Sequence, residues 1–337
     1  MDLRPSQEQQ QLVDAFASLY AGQSPTSKVR EAEPLGFLPE LWRRLRENGA
    51  LEMAVPEDMG GWGASLLDLA LVAEQHGRAV APAPLVEAQV AARLLARLTA
   101  DEVLADVLAG SRLVTLAVRP ARDGAATLVP AGAVADAAVV LDGDRLLLVP
   151  IPADVRHVAN TGCLPLADLS VPADATELAT GANALEAYAR ALDEWRVLTA
   201  AALSGIAARG LEIGVGYVKE RQAFGVPIGS FQGVAHRLAD RACEVDGAEL
   251  LAREAAWAAD DEPGRAAELA AMAFGFAAET ARDTTYHALH FHGGYGFMLE
   301  YDIQLYFRRA RAWAAVLSEP RAAYGRVADV RYATAGS

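Results

Sequence analysis

The sequence predicts an α+β protein that is mostly α-helical, because its hydrophobic pattern changes twice along the chain. Residues 1–110 show helical periodicity interrupted by breakers, and residues 111–182 show short apolar runs separated by Gly, Pro and Asp. From residue 183 to residue 337, apolar residues repeat at three- and four-residue steps over much longer stretches. We therefore expect an N-terminal helical domain over 1–110, a small β domain over 111–182 and a C-terminal four-helix bundle over 183–337.

Local signals place elements within the first two domains. Leu12, Phe16 and Leu19 share one helical face, and Ser65 is suited to cap the helix that follows it. The apolar runs of the middle domain predict about five short strands, arranged as an open sheet or as a sandwich.

One very long helix is predicted to open the bundle. Its apolar residues recur at helical spacing from Leu185 to Tyr217, and Pro227 forces a break. Further periodic segments follow at about 231–260, 264–290 and 302–318. Each glycine inside the long helix costs roughly 1 kcal/mol relative to Ala, so we expect close helix or ligand contacts to compensate at these positions: Gly205, Gly210, Gly214 and Gly216.

Charge and cysteine content exclude several classes of partner. The net charge of −14, from 30 Lys and Arg against 44 Asp and Glu, would repel the phosphates of nucleic acid and of anionic membranes. Cys163 and Cys243 lie far apart without a Cys or His neighbour at metal-ligand spacing, so neither a disulfide framework nor a metal site is predicted. The polar N-terminal sequence differs from a secretory signal, and we expect a cytoplasmic protein.

Two segments of the bundle could carry chemistry. In Arg221–Gln232, Arg221 could neutralise a phosphate, Phe224 could face an adenine and Gln232 could bond a ribose or base edge. The alternative is a plain interhelical loop in which Phe224 packs inward and Arg221 is solvated.

The second segment is a glycine-rich turn over residues 290–297. Gly293 and Gly294 would let backbone N–H groups approach an anion closely. His290 and His292 lie only two residues apart with no third ligand nearby, which disfavours a metal site.

Together with an N-terminal pattern, these segments resemble the acyl-CoA dehydrogenase family along nearly the full chain. Three matches carry the resemblance, namely Leu41-Trp42 through Val55-Pro56-Glu57 to Gly60-Gly61, then Arg221 to Gln232, then His292-Gly293-Gly294 with Arg308 to Arg311.

The resemblance implies an FAD-dependent flavoprotein, assembled as a dimer of dimers, that oxidises an acyl-CoA substrate and passes electrons to an electron-accepting flavoprotein. It implies that each FAD crosses a subunit interface, with Arg221 on the pyrophosphate, Phe224 near the adenine end and Gln232 hydrogen-bonding nearby. Gly293 and Gly294 would bring backbone amides to the cofactor, and His290 stands where the family commonly has Gln.

The chain departs from the family pattern at the flavin ring. The family holds this ring with a Thr-Glu-x-x-x-Gly-Ser-Asp type of loop, which is missing here. Leu116-Ala-Val-Arg-Pro120 stands in its place, so the β domain is reduced and is not expected to cradle its own flavin.

A second departure concerns the catalytic carboxylate. The two positions that the family uses for its base correspond to Leu317 and Trp195, and neither side chain accepts a proton. Glu319 and Glu194 lie close by, but Glu319 is expected to be a helix-end charge and Glu194 to face solvent.

These features predict the short subunit of a heteromeric oxidoreductase, with a longer homologous partner supplying the flavin loop and the base. The chain is similar to subunits of the actinobacterial α2β2 acyl-CoA dehydrogenases of steroid catabolism, a form of lipid degradation, which act on steroid side-chain CoA esters. Two alternatives are a self-sufficient homotetrameric acyl-CoA dehydrogenase that uses Glu319 or Glu194, and a non-enzymatic helical scaffold subunit.

Overall fold

The computed structural model describes residues 3–333. The chain forms two compact units. The bundle unit comprises Met1–Thr26, Ala70–Ala81 and Arg196–Ser337, and the sheet unit comprises Ser27–Leu69 and Pro82–Trp195. The predicted boundaries at residues 110 and 182 remain predictions, whereas the predicted class, mostly helical with a small sheet, is confirmed.

Among the described residues, six α-helices precede the first strand. They are α1 Gln7–Gln23, α2 Thr26–Glu31, α3 Pro39–Glu47, α4 Leu66–Arg78, α5 Leu85–Arg97 and α6 Asp101–Ala109. Ser65 caps α4 as predicted, because its Oγ accepts the Asp68 N–H at 3.2 Å while the Asp68 carboxylate accepts the Ser65 N–H at 2.9 Å.

Six strands follow and form two sheets in the sheet unit. They are β1 Val114–Leu116, β2 Ala125–Val129, β3 Ala137–Asp142, β4 Arg145–Pro150, β5 Ala167–Ser170 and β6 Thr176–Thr180. One sheet has the order β1-β3-β4-β6, with β1 parallel to β3 and the other pairs antiparallel, and β2 pairs with β5 separately.

The two sheets share one apolar core, which makes this region a small sandwich. Ala138 and Val140 of β3 lie in the same buried cluster as Ala126 of β2 and Leu169 of β5. The inward residues alternate along β3, β4 and β5, as expected for strands that bury one face against a second sheet, and an irregularity between Ala126 and Val129 interrupts the alternation in β2.

The remaining helices belong to the bundle and its extension. They are α7 Gly181–Glu220, α8 Gln232–Asp261, α9 Pro263–Phe291, α10 Ile303–Ala315 and α11 Pro320–Ala333. Only Glu262 separates α8 from α9, and Pro263 at the first position of α9 is a favoured helix start. The sequence periodicity anticipated α7 to α10 but not α11 as a separate helix.

Helix α7 is long and apolar enough to cross a membrane by length and composition, yet 78% of its apolar stretch is buried within the protein. That burial identifies α7 as a core helix.

The glycines of α7 allow its burial within the bundle unit, because a Cβ on Gly205 would overlap the Glu74 carbonyl oxygen of α4. A Cβ on Gly210 or Gly214 would lie 2.9 Å from Thr285 or Ala288 of α9. Gly216 has open space instead, so the expectation of close contact holds for three of the four glycines.

We predict that Gly205→Ala lowers the free energy of unfolding by about 2 kcal/mol, since the added methyl group meets backbone that cannot rotate away. Gly216→Ala on the same helix is the matched control and should raise stability by up to about 1 kcal/mol through helix propensity alone. Urea unfolding of both variants measures the difference. Equal effects would show that α4 does not pack against Gly205.

Candidate cofactor and active-site positions

The segment after α7 forms a tight β-hairpin. Its strands are β7 Gln222–Ala223 and β8 Val226–Pro227, and the two turn residues, Phe224 and Gly225, have φ of +54° and +79°. Positive φ at both central residues is the backbone of a type I′ hairpin turn. Phe224 is 96% exposed, so the alternative in which Phe224 packs inward is wrong, and its ring reaches only the edge of Phe231 at 6.2 Å.

The hairpin holds the backbone of Arg221 in place, whereas the Arg221 side chain extends into solvent. The Arg221 N–H donates to the Tyr217 carbonyl, and the Arg221 carbonyl accepts from the Ile228 N–H, both at 2.8 Å. Within residues 3–333 its exposed guanidinium makes neither an ion pair nor a hydrogen bond. Gln232 is also exposed, at the first position of α8. A guanidinium held in this way can bind an anion without first breaking an internal contact.

The glycine-rich segment lies in a 3₁₀ turn over Gly293–Phe297, directly after α9. Gly293 has φ +60°, and a Cβ at Gly293 or Gly294 would meet no atom within 4 Å. Both backbones are therefore open to an approaching ligand. His290 is exposed on the last turn of α9, where its ring stacks on that of Tyr286 at 5.9 Å.

A stacked aromatic pair brings the two segments to one end of the bundle unit. The Tyr217 ring stacks on the His292 ring with 3.9 Å between centroids and 20° between planes. Burial lowers the pKa of His292, whose Nδ1 donates to the Ala288 carbonyl at 2.7 Å. Because Arg221 follows Tyr217 by one turn and Gly293 follows His292 directly, the predicted contact residues lie at neighbouring helix ends.

The segment that we expect to replace the family's flavin loop is closed. Leu116, Ala117 and Val118 are at most 2% exposed. The Ala117 N–H donates to the Val139 carbonyl at 2.9 Å, and the Ala117 carbonyl accepts from the Tyr188 hydroxyl at 3.0 Å. The Ala117 amide thus extends the β1–β3 pairing, and its donor is not available to a ring.

The two family base positions are occupied by apolar or aromatic side chains. Trp195 is 2% exposed and its indole interacts with the carboxyl of Glu87 on α5. Burial raises the pKa of Glu87, and its own backbone and the nearby Trp195 indole offset this only in part. Leu317 follows α10. Exposed Glu319 accepts the Ala322 N–H at the start of α11 through its carbonyl, and its carboxylate lies near Arg282.

Glu194 is buried, and the expectation that it faces solvent is wrong. It is 3% exposed and pairs with Arg97, with Arg93 at 3.3 Å and with Arg190 at 3.7 Å. Burial alone would raise the pKa of Glu194, but the three guanidiniums outweigh burial and lower the pKa of this carboxyl. A carboxylate stabilised in this way is a weak proton acceptor.

Sequence reasoning missed Arg93 and Arg97 because they lie on a different helix from Glu194. Arg93 and Arg97 are four residues apart on α5, and Arg190 precedes Glu194 by four on α7. That spacing places each pair on one helix face. The spacing was readable from the sequence, whereas the packing of α5 on this turn of α7 was not.

We predict that Glu194→Gln lowers the free energy of unfolding by about 3 kcal/mol, because two largely buried guanidiniums lose their carboxylate. The folded-state pKa of Glu194 lies below the unfolded value of about 4.3, so its contribution is complete above that pH and disappears as pH falls through the lower folded-state pKa. The stability difference between native protein and variant should therefore shrink in acid. Exposed Glu186→Gln on the same helix is the control, and an equal loss there would contradict the ion-pair interpretation.

Two models of one protein family match this chain. The acyl-CoA dehydrogenase N-terminal domain model matches residues 6–111, and the C-terminal domain model matches residues 185–316. Acyl-CoA dehydrogenase IpdE2 of Mycolicibacterium smegmatis is 32% identical over 327 residues, covering 94% of this chain and 96% of the relative.

Two solved structures share the fold over the whole chain. The ChsE4-ChsE5 complex from Mycobacterium tuberculosis contains a chain with TM-score 0.89 and 27% identity, with 100% of both chains covered. A variant of the Tcur3481-Tcur3483 steroid ACAD gives TM-score 0.88 and 28% identity, covering 98% of this chain and 99% of that one. The chain therefore belongs to the acyl-CoA dehydrogenase family, FAD-dependent oxidoreductases that act on the CH–CH group of acyl-CoA.

Proposed function

We propose that this chain is the short subunit of a heteromeric acyl-CoA dehydrogenase. It contributes the adenosine diphosphate half of the FAD site, and a longer homologous subunit supplies the flavin loop and the catalytic base. The observation that carries the proposal is the contrast between the open Arg221 hairpin and the closed backbone at Ala117.

The residues at the open end suit the adenosine diphosphate part of FAD. Arg221 offers an exposed guanidinium without an internal partner in the described chain, and two pyrophosphate contacts from it would be charge-assisted. Phe224 presents a full ring face to an adenine, and Gln232 offers an amide nearby. Gly293 and Gly294 leave backbone exposed without a covering side chain, and His290 takes the place of the family's Gln.

The flavin ring does not fit this chain in the same way. A ring held against a sheet needs backbone donors that point out of the sheet, and the Ala117 donor is used in pairing with β3. Buried Leu116 and Val118 flank it. A flavin ring bound at the partner's β domain would not need the Ala117 N–H as a donor.

Within residues 3–333, none of the carboxylates near the expected base positions has surroundings that suit a catalytic base. Glu194 is committed to three arginines, and Glu87 is tied to Trp195 and to its own backbone. Glu319 is exposed beside Arg282. A base for this reaction needs a raised proton affinity and access to the carbon next to the thioester. We therefore assign proton removal to the partner. FAD, when bound, would supply the hydride acceptor.

The named relatives suggest the assembly and the substrate class. One similar structure is a complex of two different chains, and another is described as a steroid ACAD. By analogy we propose an α2β2 heterotetramer that acts on a steroid side-chain CoA ester, in the cytoplasm, with an electron-accepting flavoprotein as its oxidant.

Flavin counting tests the proposal against its alternatives. The chain is purified alone and together with a co-expressed longer homologue encoded beside it, and FAD is measured by absorbance after release. One FAD per pair of different chains is expected, with none retained by the chain alone. About one FAD per chain without a partner would favour a self-sufficient homotetramer, and no FAD even in the complex would favour a scaffold.

We predict that Arg221→Ala releases FAD from the complex. The loss of two charge-assisted hydrogen bonds costs about 3 kcal/mol, which raises the Kd of FAD by about two orders of magnitude. Exposed Arg326→Ala on α11 is the matched control and should retain FAD. Fluorescence of released flavin during dilution measures the leakage. Full retention by Arg221→Ala would remove this arginine from the cofactor site.

A further inference from the structure

A cavity in the sheet unit lies apart from every residue assigned above. It has a volume of about 220 Å³ and opens between α3, the end of α6 and the segments that lead into β1 and β3. Its lining consists of Phe37, Trp42, Arg46, Gly110, Arg112, Leu113, Val134 and Asp136. We call it the Arg112 cavity.

The charges around the Arg112 cavity sum to a positive value. Arg46 donates from Nη1 to the Gly110 carbonyl at 2.9 Å and from Nη2 to the Ala109 carbonyl at 3.2 Å, so its charge is oriented but not neutralised. The half-buried Arg112 side chain makes no ion pair or hydrogen bond within residues 3–333. Asp136 is the single lining carboxylate, and its Oδ2 accepts the Leu113 N–H at 2.7 Å. Two guanidiniums against one carboxylate leave one positive charge.

This local excess contrasts with the chain as a whole, whose net charge is −14. Several other arginines of the sheet unit meet carboxylates, as Arg145 does with Glu177 at 2.7 Å. An arginine without an ion pair beside a concave surface attracts anions, because low-dielectric walls focus its field.

The walls of the Arg112 cavity combine polar and apolar surface. Trp42 and Leu113 are each 8% exposed and, with Phe37 and Val134, form the non-polar lining. The volume of about 220 Å³ lies below the usual range of roughly 300–1,000 Å³ for drug-sized ligands. A nucleotide or a CoA moiety is therefore too large, whereas one ring with a small charged group fits.

We propose that the Arg112 cavity binds a small carboxylate with an apolar, ring-sized body. The carboxylate pairs with the free guanidinium of Arg112, and the body lies against Trp42 and Val134. Arg46 holds the cavity floor in place through its two carbonyl contacts and adds positive charge. The site is independent of the cofactor assignment, because no residue is shared.

Titration calorimetry of the full-length protein with benzoate tests this site. A Kd on the order of 1 mM or tighter is expected, and Arg112→Ala should weaken binding by about tenfold or more. Exposed Arg122→Ala in the same unit is the matched control and should bind benzoate unchanged. Val134→Phe keeps the charges but fills the space, and should also abolish binding.

Two further probes separate the contributions of charge and shape. Neutral benzamide and inorganic phosphate should each bind at least about tenfold more weakly than benzoate, since one lacks the charge and the other the apolar body. The proposal is overturned if benzoate does not bind, if Arg112→Ala binds it as tightly as the native protein, or if benzamide or phosphate matches it. Circular dichroism of the variants confirms that each is folded.

Discussion

The burial of α7 is the constraint on which both the stability and the chemistry of this chain depend. A helix of 40 residues has no solvent face where it serves as a core element, so each side chain must find a partner in the helices around it. In the bundle unit, glycines on α7 let α4 and α9 pack closely against it. In the sheet unit a charge cluster meets this requirement, with Glu194 enclosed by arginines of α5 and α7.

This constraint has a direct chemical consequence. A residue near the first turns of α7 could serve as a catalytic base only if its carboxyl were desolvated without a counter-charge, since that environment raises proton affinity. Here the carboxyl at Glu194 has three counter-charges, and Trp195 fills the adjoining position. The turn of α7 around Glu194 and Trp195 is therefore a structural contact between α5 and α7, and it does not provide a proton acceptor. By contrast, the far end of α7 leads into an exposed hairpin where, within residues 3–333, the hydrated Arg221 guanidinium has no internal partner and is available to an anion.

Local patterns were sufficient to predict most elements, and tertiary packing explains what they missed. The Ser65 cap, the bounds of α8 and α9 and the alternating strands follow from neighbouring residues, because caps, prolines and period-two patterns act over a few positions. The exposure of Glu194 was predicted wrongly, since its phase on α7 says nothing about a second helix covering that face. Glu87 was overlooked for the same reason, as its raised pKa arises from burial beside Trp195. The outward position of Phe224 depends on a type I′ turn, which favours Gly or Asn at the position that Phe224 occupies, so the local pattern did not predict this turn.

The division of the flavin site between two different chains can be tested most directly by a structure of the purified complex with FAD bound. The isoalloxazine should lie against the β domain of the longer subunit, out of contact with Leu116 to Val118, while the Arg221 guanidinium lies within hydrogen-bond distance of the pyrophosphate. A flavin ring stacked on this chain's own sheet, with one of its carboxylates above the ring, would contradict the division.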